Sequence, residues 1–317
     1  MDDDLRDAGP VEQGTLPPES RQSHARAFVA ASMATAVVAL AYPPIWSIAD
    51  DTLVLRQAGE RGLAALVWAY SGYLIVAQRA VSLIQTPDPL LIGALGSYAA
   101  VFLVALFLAW RVHPAAAIAL ILAPGYGVYG TLSDIQWVLA VYLLGMLVAT
   151  PPTSVRGLLG DVIGVFACGL TGPFSIFLLP LYGVRALNPI WHRHLLVLAS
   201  TAAIQIVSLA LTPRHHPPSH DFLLVLAVRD VVPVVLIMFV GWWFSIRRTL
   251  GALYVAIVIP TLGVLGTLHT SSELLAGNGQ GYFYGTRYFY LPWIVALAMV
   301  LILLASRLGA HSPLLRR

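Results

Sequence analysis

The stretch LLIGALGSYAAVFLVALFLAW, residues Leu90–Trp110, contains no charged side chain and decides the class of fold. A bilayer core roughly 30 Å thick needs about 20 apolar residues at 1.5 Å rise per residue, so this segment is long enough to cross it as a helix. Other apolar blocks of spanning length are Phe222–Phe244 and Phe289–Ser306. Together the blocks predict an all-α protein built as a bundle of transmembrane helices.

The composition of the whole chain supports the same prediction. Of its 317 residues, 58% are hydrophobic and 10% are charged, and the mean hydropathy is +0.80. Soluble domains carry roughly 25% charged residues, and so few charges could not form a water-facing surface for a chain of this length. All 18 basic residues are arginine, which is typical of a GC-rich bacterial genome. They are scattered singly, so the basic balance does not indicate nucleic-acid binding.

The distribution of the arginines predicts the orientation of the helices. Residues 1–26 are polar and acidic and are expected to form a disordered cytoplasmic tail, residues 27–308 a transmembrane domain and residues 309–317 a second cytoplasmic tail. An arrangement of about ten crossings places twelve arginines inside and six outside or embedded, as the positive-inside rule favours. The expected location is the bacterial cytoplasmic (inner) membrane. The predicted crossings are Phe28–Trp46, Leu90–Trp110, Ala115–Gly130, Gln136–Thr150, Leu158–Gly169, Pro173–Tyr182, Leu195–Leu211, Phe222–Phe244, Gly251–Leu268 and Phe289–Ser306.

Two features of this arrangement shape the predicted outer face. Gly62–Ile84 is apolar but contains Gln78 and Arg79, so we expect amphipathic helices on the outer membrane surface and not a further crossing. The four middle crossings are short and form two pairs, interrupted by glycines such as Gly130 and by Gly172–Pro173. Because irregular backbone at membrane depth is tolerated where it lines a cavity, these pairs predict a cavity open to the periplasmic side.

Acidic residues mark the same outer face. Asp50 and Asp51 follow the first predicted helix, and adjacent carboxylates can bind a divalent metal such as Mg2+ or Mn2+ or act as a general base. The alternative is a charged stop signal at a helix end. Asp134 lies in the turn SDIQW and is either a second acid of the site or, with Ser133, an N-cap of the next helix. Trp137 in that turn is a substrate-binding candidate or an aromatic residue of the membrane interface.

Arg287 stands among aromatic residues in YFYGTRYFY, residues 282–290. An arginine at the interface can bind a phosphate while tyrosines flank a sugar or a lipid head group. The alternative is an arginine that snorkels to the surface within an aromatic belt, and Arg79 admits the same two interpretations. The full set of candidate substrate-binding residues is Tyr73, Arg79, Gln136, Trp137, Arg287 and Tyr288.

The remaining polar residues carry weaker predictions. Asp88 and Asp161 are interpreted as acids near helix starts. Arg229–Asp230 are interpreted as charges at the outer interface, and the alternative is a proton- or ion-coupled path within the membrane. The lone Cys168 excludes a cysteine-based metal site, and the histidines, including His215, form no reliable metal spacing. Glycine-rich phosphate-binding patterns are absent, so no nucleotide cofactor is expected.

From about residue 26 to residue 306 the layout resembles the GT-C superfamily of polytopic membrane glycosyltransferases. The matching residues are Asp50–Asp51 after the first helix, Asp134 in the second outer turn and Arg287 before the last helix. The resemblance implies a polyprenyl-phosphate sugar donor met from the lipid side, and a first-loop acid that acts as catalytic base or metal ligand. The chain has no large soluble C-terminal domain and no WWD motif, so neither the sugar nor the acceptor is implied.

This resemblance implies direct displacement at the anomeric carbon. Asp50 or Asp51 would deprotonate a hydroxyl of an acceptor glycan, lipid or protein, helped by Asp134 or a metal, and Arg287 would neutralise the departing lipid phosphate. The alternative is a transporter or flippase of a lipid-linked or small polar solute, which broken helix pairs also suit. The sequence has no convincing internal repeat, and its polar residues stop at the outer half. A structural subunit is the third interpretation.

Overall fold

A computed structural model describes residues 18–44, 50–70, 73–84, 88–123 and 128–212, with single helical positions between 290 and 305; the side chains of residues 18–22, 50 and 89 lie outside that description. This part of the chain is helical, and its only extended pairings are two isolated backbone bridges. The α-helices are α1 Pro18–Ala41, α2 Asp50–Arg61, α3 Val76–Ser82, α4 Pro89–Phe107, α5 Pro114–Leu122, α6 Ile135–Met146, α7 Val155–Gly169, α8 Phe174–Arg185 and α9 His192–Leu211.

Among the described residues, three helical stretches are long and apolar enough to cross a membrane: Ser23–Ala41, Leu90–Val112 and Pro189–Leu211. Shorter apolar helices are Ile135–Met146 and Phe174–Arg185. The described residues therefore indicate a helical membrane protein, and the arrangement of ten crossings stays a prediction. The predicted crossings between residues 222 and 268 lie outside the described residues.

The first helix differs from its predicted bounds. α1 begins at Pro18, inside the predicted tail, and ends at Ala41, before the predicted end at Trp46. Proline is tolerated in the first turn of a helix, and no glycine or further proline follows it before Pro43, so the polar residues continue the helix. Pro43 and Pro44 stop it, because a proline disfavours helical backbone in the residue before it.

Contacts along the bundle show that α4 and α6 run in the same direction. At one end, Ser97 of α4 receives a hydrogen bond from the N–H of Gly130, which precedes α6. At the other end, Arg111 follows α4 and contacts Thr150, which follows α6. We call these the Ser133 end and the Arg111 end of the bundle. The segment between α1 and α4, with α2 and α3, packs at the Ser133 end.

Large apolar side chains remain exposed on the outside of the long helices. The exposed fraction is 62% for Met33, 60% for Leu103 and 66% for Leu196. Exposed apolar surface of this extent is unusual for a soluble monomer and is expected where lipid covers the helices. The exposed faces and the apolar helices thus agree on a membrane protein.

The two predicted breaks at Gly130 and Gly172 coincide with turns at the Ser133 end. Gly130 has φ of +78° and Gly172 has φ of +88°, a backbone region that glycine adopts without steric cost. A side chain at Gly130 would meet the carbonyl oxygen of Pro43 at 2.9 Å. The absence of a side chain there lets the end of the α1 segment pack against the turn before α6.

Candidate functional site

Asp51 lies at the Ser133 end and links the first loop to the turn before α6. Its side chain is 1% exposed, and Oδ1 accepts the backbone N–H of Ser133 at 2.8 Å, across 82 residues of sequence. Asp50 opens α2, so the pair begins a second helix and does not end the first. An acid in the first turn of a helix is favoured by the helix dipole. The alternative interpretation, a charged stop signal that faces water at a helix end, does not fit Asp51, because the side chain of Asp51 is buried.

Asp134 is the next residue after Ser133 and is 3% exposed. It occupies the N-cap position of α6, but its side chain makes no capping hydrogen bond, and its Oδ2 accepts from Thr131 Oγ1 at 3.3 Å. The predicted side-chain cap by Asp134 is therefore wrong. The carboxylate of Asp134 instead contacts Thr131 in the preceding loop, and Asp51 contacts the residue directly before Asp134.

Gln78 holds the other side of Ser133. Its Nε2 donates to the carbonyl oxygen of Ser133 at 3.1 Å, and its side chain is fully buried. Ser133 therefore has its N–H bound by Asp51 and its C=O bound by Gln78. These contacts fix the turn SDIQW between α2 and α3, although sequence reasoning assigned no role to Gln78.

Arg79 is fully buried, so it does not snorkel to a surface. Its Nη1 donates to the carbonyl oxygen of Val54 at 2.8 Å, and its Nη2 donates to Gln57 Oε1. In the described part of the chain no carboxylate pairs with Arg79, and its Nε makes no hydrogen bond. Burial lowers the pKa of the Arg79 guanidinium from its ordinary value; Tyr70 opposes this and Arg61 adds to it.

Tyr73, Gln136 and Trp137 lie beside these residues. Gln136 Nε2 is 3.4 Å from the hydroxyl of Tyr73, a long hydrogen bond. The ring of Trp137 meets the ring of Phe174 edge to face, with centroids 4.9 Å apart. The structure thus brings together Tyr73, Arg79, Gln136 and Trp137 with the two acids at one end of the bundle.

The segment that carries Tyr73, Gln78 and Arg79 is fixed by the turn between α7 and α8. The N–H of Val76 donates to Leu170 O at 3.2 Å, and the N–H of Gly172 donates to Leu74 O at 2.8 Å. Thr171 Oγ1 accepts the N–H of Ala77 at 3.2 Å. Short backbone pairings of this kind hold the site residues against the ends of longer helices.

Two expected site residues and one side chain lie outside the described residues: Arg287, Tyr288 and the carboxylate of Asp50. The predicted interface charges Arg229–Asp230 and the loop with His215 also lie outside them. Tyr290, three residues after Arg287, is described: its hydroxyl is 2.7 Å from that of Tyr129 at the Ser133 end. Among the described side chains, no three of the His, Cys, Asp and Glu type are grouped as a metal site.

A second polar cluster at the Arg111 end was missed by sequence reasoning. Arg111 binds Asp161 with two parallel hydrogen bonds of 2.9 and 3.0 Å, and both side chains are buried. His194, fully buried, places Nε2 3.5 Å from Asp161 Oδ2, at the limit of an ion pair and too long for a good hydrogen bond. Ser154 caps α7, so the interpretation of Asp161 as the capping acid of this helix is wrong.

The local backbone explains why Arg111 reaches Asp161. α4 ends in a π-helical turn, Leu108–Val112, in which the N–H of His113 bonds to Leu108 O at 2.8 Å. A π turn shifts the side chains that follow it relative to a regular helix. Arg111 thereby points toward α7, and its Nε also donates to Thr150 O at 3.2 Å. An ionisable residue within an apolar helix was the signal for this partner.

Asp88 behaves as the sequence predicts. Its Oδ1 accepts the N–H of Leu91 at 3.2 Å, which makes it the N-cap of α4. It is exposed and acts locally, so it does not belong to the group around Ser133.

The described residues indicate a helical membrane protein whose buried polar groups form one cluster at the Ser133 end and a second at the Arg111 end. Comparison with family models, with curated proteins and with solved structures finds no match to the chain.

Proposed function

We propose that this chain is a membrane glycosyltransferase that moves a sugar from a polyprenyl-phosphate-linked donor to an acceptor at the periplasmic face of a bacterial inner membrane. The observation that carries the proposal is the contact between Asp51 and the Ser133 turn. It brings one candidate acid of the first loop beside a second, Asp134, at the same end of the bundle. Two acids from separate outer loops are what the GT-C resemblance implies.

In the proposed reaction Asp51 is the general base. Its carboxylate takes the proton of an acceptor hydroxyl as that oxygen attacks the anomeric carbon of the donor sugar. The bond from the anomeric carbon to the phosphate oxygen breaks, and polyprenyl phosphate leaves with the electron pair. A carboxylate removed from water interacts strongly with nearby charges, which favours this role.

The leaving phosphate needs positive charge as the transition state forms. Arg287 is proposed for this role, because it precedes the described residue Tyr290 by three positions and Tyr290 packs on Tyr129 at the Ser133 end. Arg79 is buried against α2, and its hydrogen bond to the carbonyl oxygen of Val54 holds α2 in place beside the site. Its charge adds positive potential at the site, and the guanidinium does not contact the phosphate directly.

Any divalent metal is proposed to bind at Asp50 and Asp51, which offer the oxygen ligands that Mg2+ and Mn2+ prefer. The proposed orientation puts the Ser133 end in the periplasm and both termini in the cytoplasm. It follows from the arginine distribution and accounts for ten crossings, with Gly62–Ile84 on the outer surface.

The test is sugar transfer by the purified protein in proteoliposomes, with a panel of radiolabelled polyprenyl-phosphate hexoses and pentoses. The Asp51→Asn and Arg287→Ala variants should lose transfer by about a hundredfold or more, as expected for a base and a charge-stabilising group. The matched control is Glu60→Gln, an exposed acid on the same helix as Asp51. Full activity in both site variants, or no transfer from any donor by the unaltered protein, contradicts the proposal.

A further inference from the structure

Several buried polar atoms around Ser133 have no hydrogen-bond partner within the described residues. The oxygen atoms among them are Gln78 Oε1, Ser133 Oγ and Gln136 Oε1, and the neighbouring Arg79 Nε is a donor without a partner in that part of the chain. Gln78 is fully buried, Ser133 is 5% exposed and Gln136 is 7% exposed. Buried polar atoms in folded proteins are nearly always hydrogen-bonded. Several atoms without a partner beside one turn therefore indicate a ligand that supplies the missing hydrogen bonds.

The orientation of the Gln78 amide identifies which atom is left over. Its other terminal atom, Nε2, lies 3.1 Å from the carbonyl oxygen of Ser133, which can only accept a hydrogen bond. The amide nitrogen must therefore face Ser133, and the amide oxygen is the atom without a partner. The bond makes Gln78 and Ser133 neighbours, so the hydroxyl of Ser133 is a second atom without a partner close to the Gln78 amide.

The chemistry of these atoms indicates the class of ligand that would bind them. Two amide oxygens accept hydrogen bonds, and a serine hydroxyl can accept or donate one. Amide oxygens and the neighbouring carboxylates Asp51 and Asp134 repel a phosphate. A neutral group with several O–H donors fits them, and a sugar ring presents such donors along one edge.

We propose that Gln78 and Ser133 form a subsite that binds the hydroxyl groups of a sugar beside Asp51. The subsite rests on the proposed function for the class of substrate, because a glycosyltransferase must hold a sugar there. Gln136 lies three residues after Ser133 and offers its Oε1 as a further acceptor. The sugar belongs to the donor or to the acceptor, and the two sources are separated by the kinetic experiment below.

The decisive variant is Ser133→Ala. It removes only the hydroxyl, while the N–H bound by Asp51 and the C=O bound by Gln78 stay in place. Loss of an unfilled buried hydroxyl should leave the thermal stability of the ligand-free protein equal or raise it. The matched control is Ser208→Ala on α9, which also removes a buried hydroxyl without a partner in the described chain.

Binding is measured by saturation-transfer difference NMR on the full chain in detergent, with methyl glycosides of hexoses and pentoses as probes and inorganic phosphate as a competitor. We expect at least one methyl glycoside to bind, Ser133→Ala to weaken it about fivefold to tenfold, and Ser208→Ala to have no effect. Absence of glycoside binding, glycoside binding unchanged in Ser133→Ala, or displacement of the glycoside by phosphate overturns the subsite.

Kinetics then separate this proposal from the proposed function. If sugar transfer is observed, Ser133→Ala should raise the KM of either donor or acceptor about fivefold, and which KM rises identifies the source of the sugar. If transfer depends on Asp51 while Ser133→Ala changes neither KM, the subsite fails and the function stands. If no transfer occurs but glycoside binding depends on Ser133, the subsite stands and the function fails.

Discussion

Gln205 of α9 holds Leu74, 131 residues earlier in the sequence, by both its backbone groups. Oε1 accepts the N–H of Leu74 at 2.8 Å, and Nε2 donates to Leu74 O at 3.2 Å and to Gly172 O at 3.0 Å. The side chain is fully buried. One amide thus joins a long apolar helix, the α7–α8 turn and the segment that carries Gln78 and Arg79.

Replacement of Gln205 by leucine should release this segment. The change keeps the volume but leaves the N–H of Leu74 and the carbonyl of Gly172 without their side-chain partner, at a cost of about 1–3 kcal/mol for each buried group. Hydrogen exchange of the Leu74 amide should become much faster, and residues 70–79 should become accessible to protease. The control is Ile206→Leu, whose side chain is half exposed on the same helix. If the Leu74 amide exchanges as slowly in Gln205→Leu as in the unaltered protein, Gln205 does not hold this segment in place.

The sequence predicts local features of this fold well. The apolar block Leu90–Trp110 corresponds to α4 and its π turn, and Gly172–Pro173 lies at the turn between α7 and α8 as predicted. The N-cap role of Asp88 is also correct. Each of these features depends on residues within one or two turns of each other, so periodicity, glycine, proline and capping chemistry determine them.

The contacts between distant segments could not be predicted in the same way. The bond from Asp51 to Ser133 joins residues 82 positions apart, and the Arg111–Asp161 pair joins residues 50 apart. A single sequence contains the residue types but not their partners, because many pairings of buried polar residues are compatible with one pattern of apolar helices. The burial of Arg79 was missed for this reason, since its partners are a backbone carbonyl and an amide and not a carboxylate.

Removal of one member of the Arg111–Asp161 pair should destabilise the protein strongly. Within the described residues, Asp161→Leu leaves the buried guanidinium with only Thr150 O as a hydrogen-bond partner, and loss of one ion of a buried pair costs about 3–5 kcal/mol. The midpoint of chemical denaturation in detergent should fall accordingly. Because desolvation is avoided when both charges are absent, the double variant Arg111→Met with Asp161→Leu should recover most of the loss. If the single variant is as stable as the unaltered protein, the pair is not a stabilising contact.

Gly172→Ala should disturb the site through Gln136. An added Cβ at Gly172 would lie 2.7 Å from Gln136 Oε1, and the φ of +88° is unfavourable for alanine by about 1–2 kcal/mol. We therefore expect a lower melting temperature and a changed fluorescence of Trp137, which follows Gln136 in α6. Gly160→Ala is the control: it lies within α7 with nothing within 4 Å of the added Cβ, so it should be neutral or stabilising by up to about 1 kcal/mol. Similar melting temperatures for the two variants would show that the Gly172 turn tolerates a side chain.

Arg79 offers a test of whether a buried arginine supports α2 or binds a phosphate. Its fork reaches the carbonyl of Val54 and the amide of Gln57 together, and a lysine ammonium at this position lacks that planar geometry. Arg79→Lys should therefore destabilise the protein by about 1–2 kcal/mol, and Arg79→Met by about 2–4 kcal/mol, with faster hydrogen exchange in α2. Arg56→Lys is the matched control, because Arg56 lies on α2 in an exposed ion pair with Glu60 at 3.7 Å and should contribute almost nothing.

Binding of polyprenyl phosphate to the same Arg79 variants distinguishes the two roles. If Arg79 supports α2, the Arg79 variants should lose polyprenyl phosphate binding only in proportion to their loss of folded protein. Lower temperature, which restores the folded fraction, should then restore the binding. If Arg79→Met keeps its melting temperature and its α2 protection but loses lipid binding, the guanidinium contacts phosphate directly. That result would assign Arg79 to the substrate site and not to the support of α2. Its hydrogen bonds to Val54 and Gln57 would then have to break when the lipid binds.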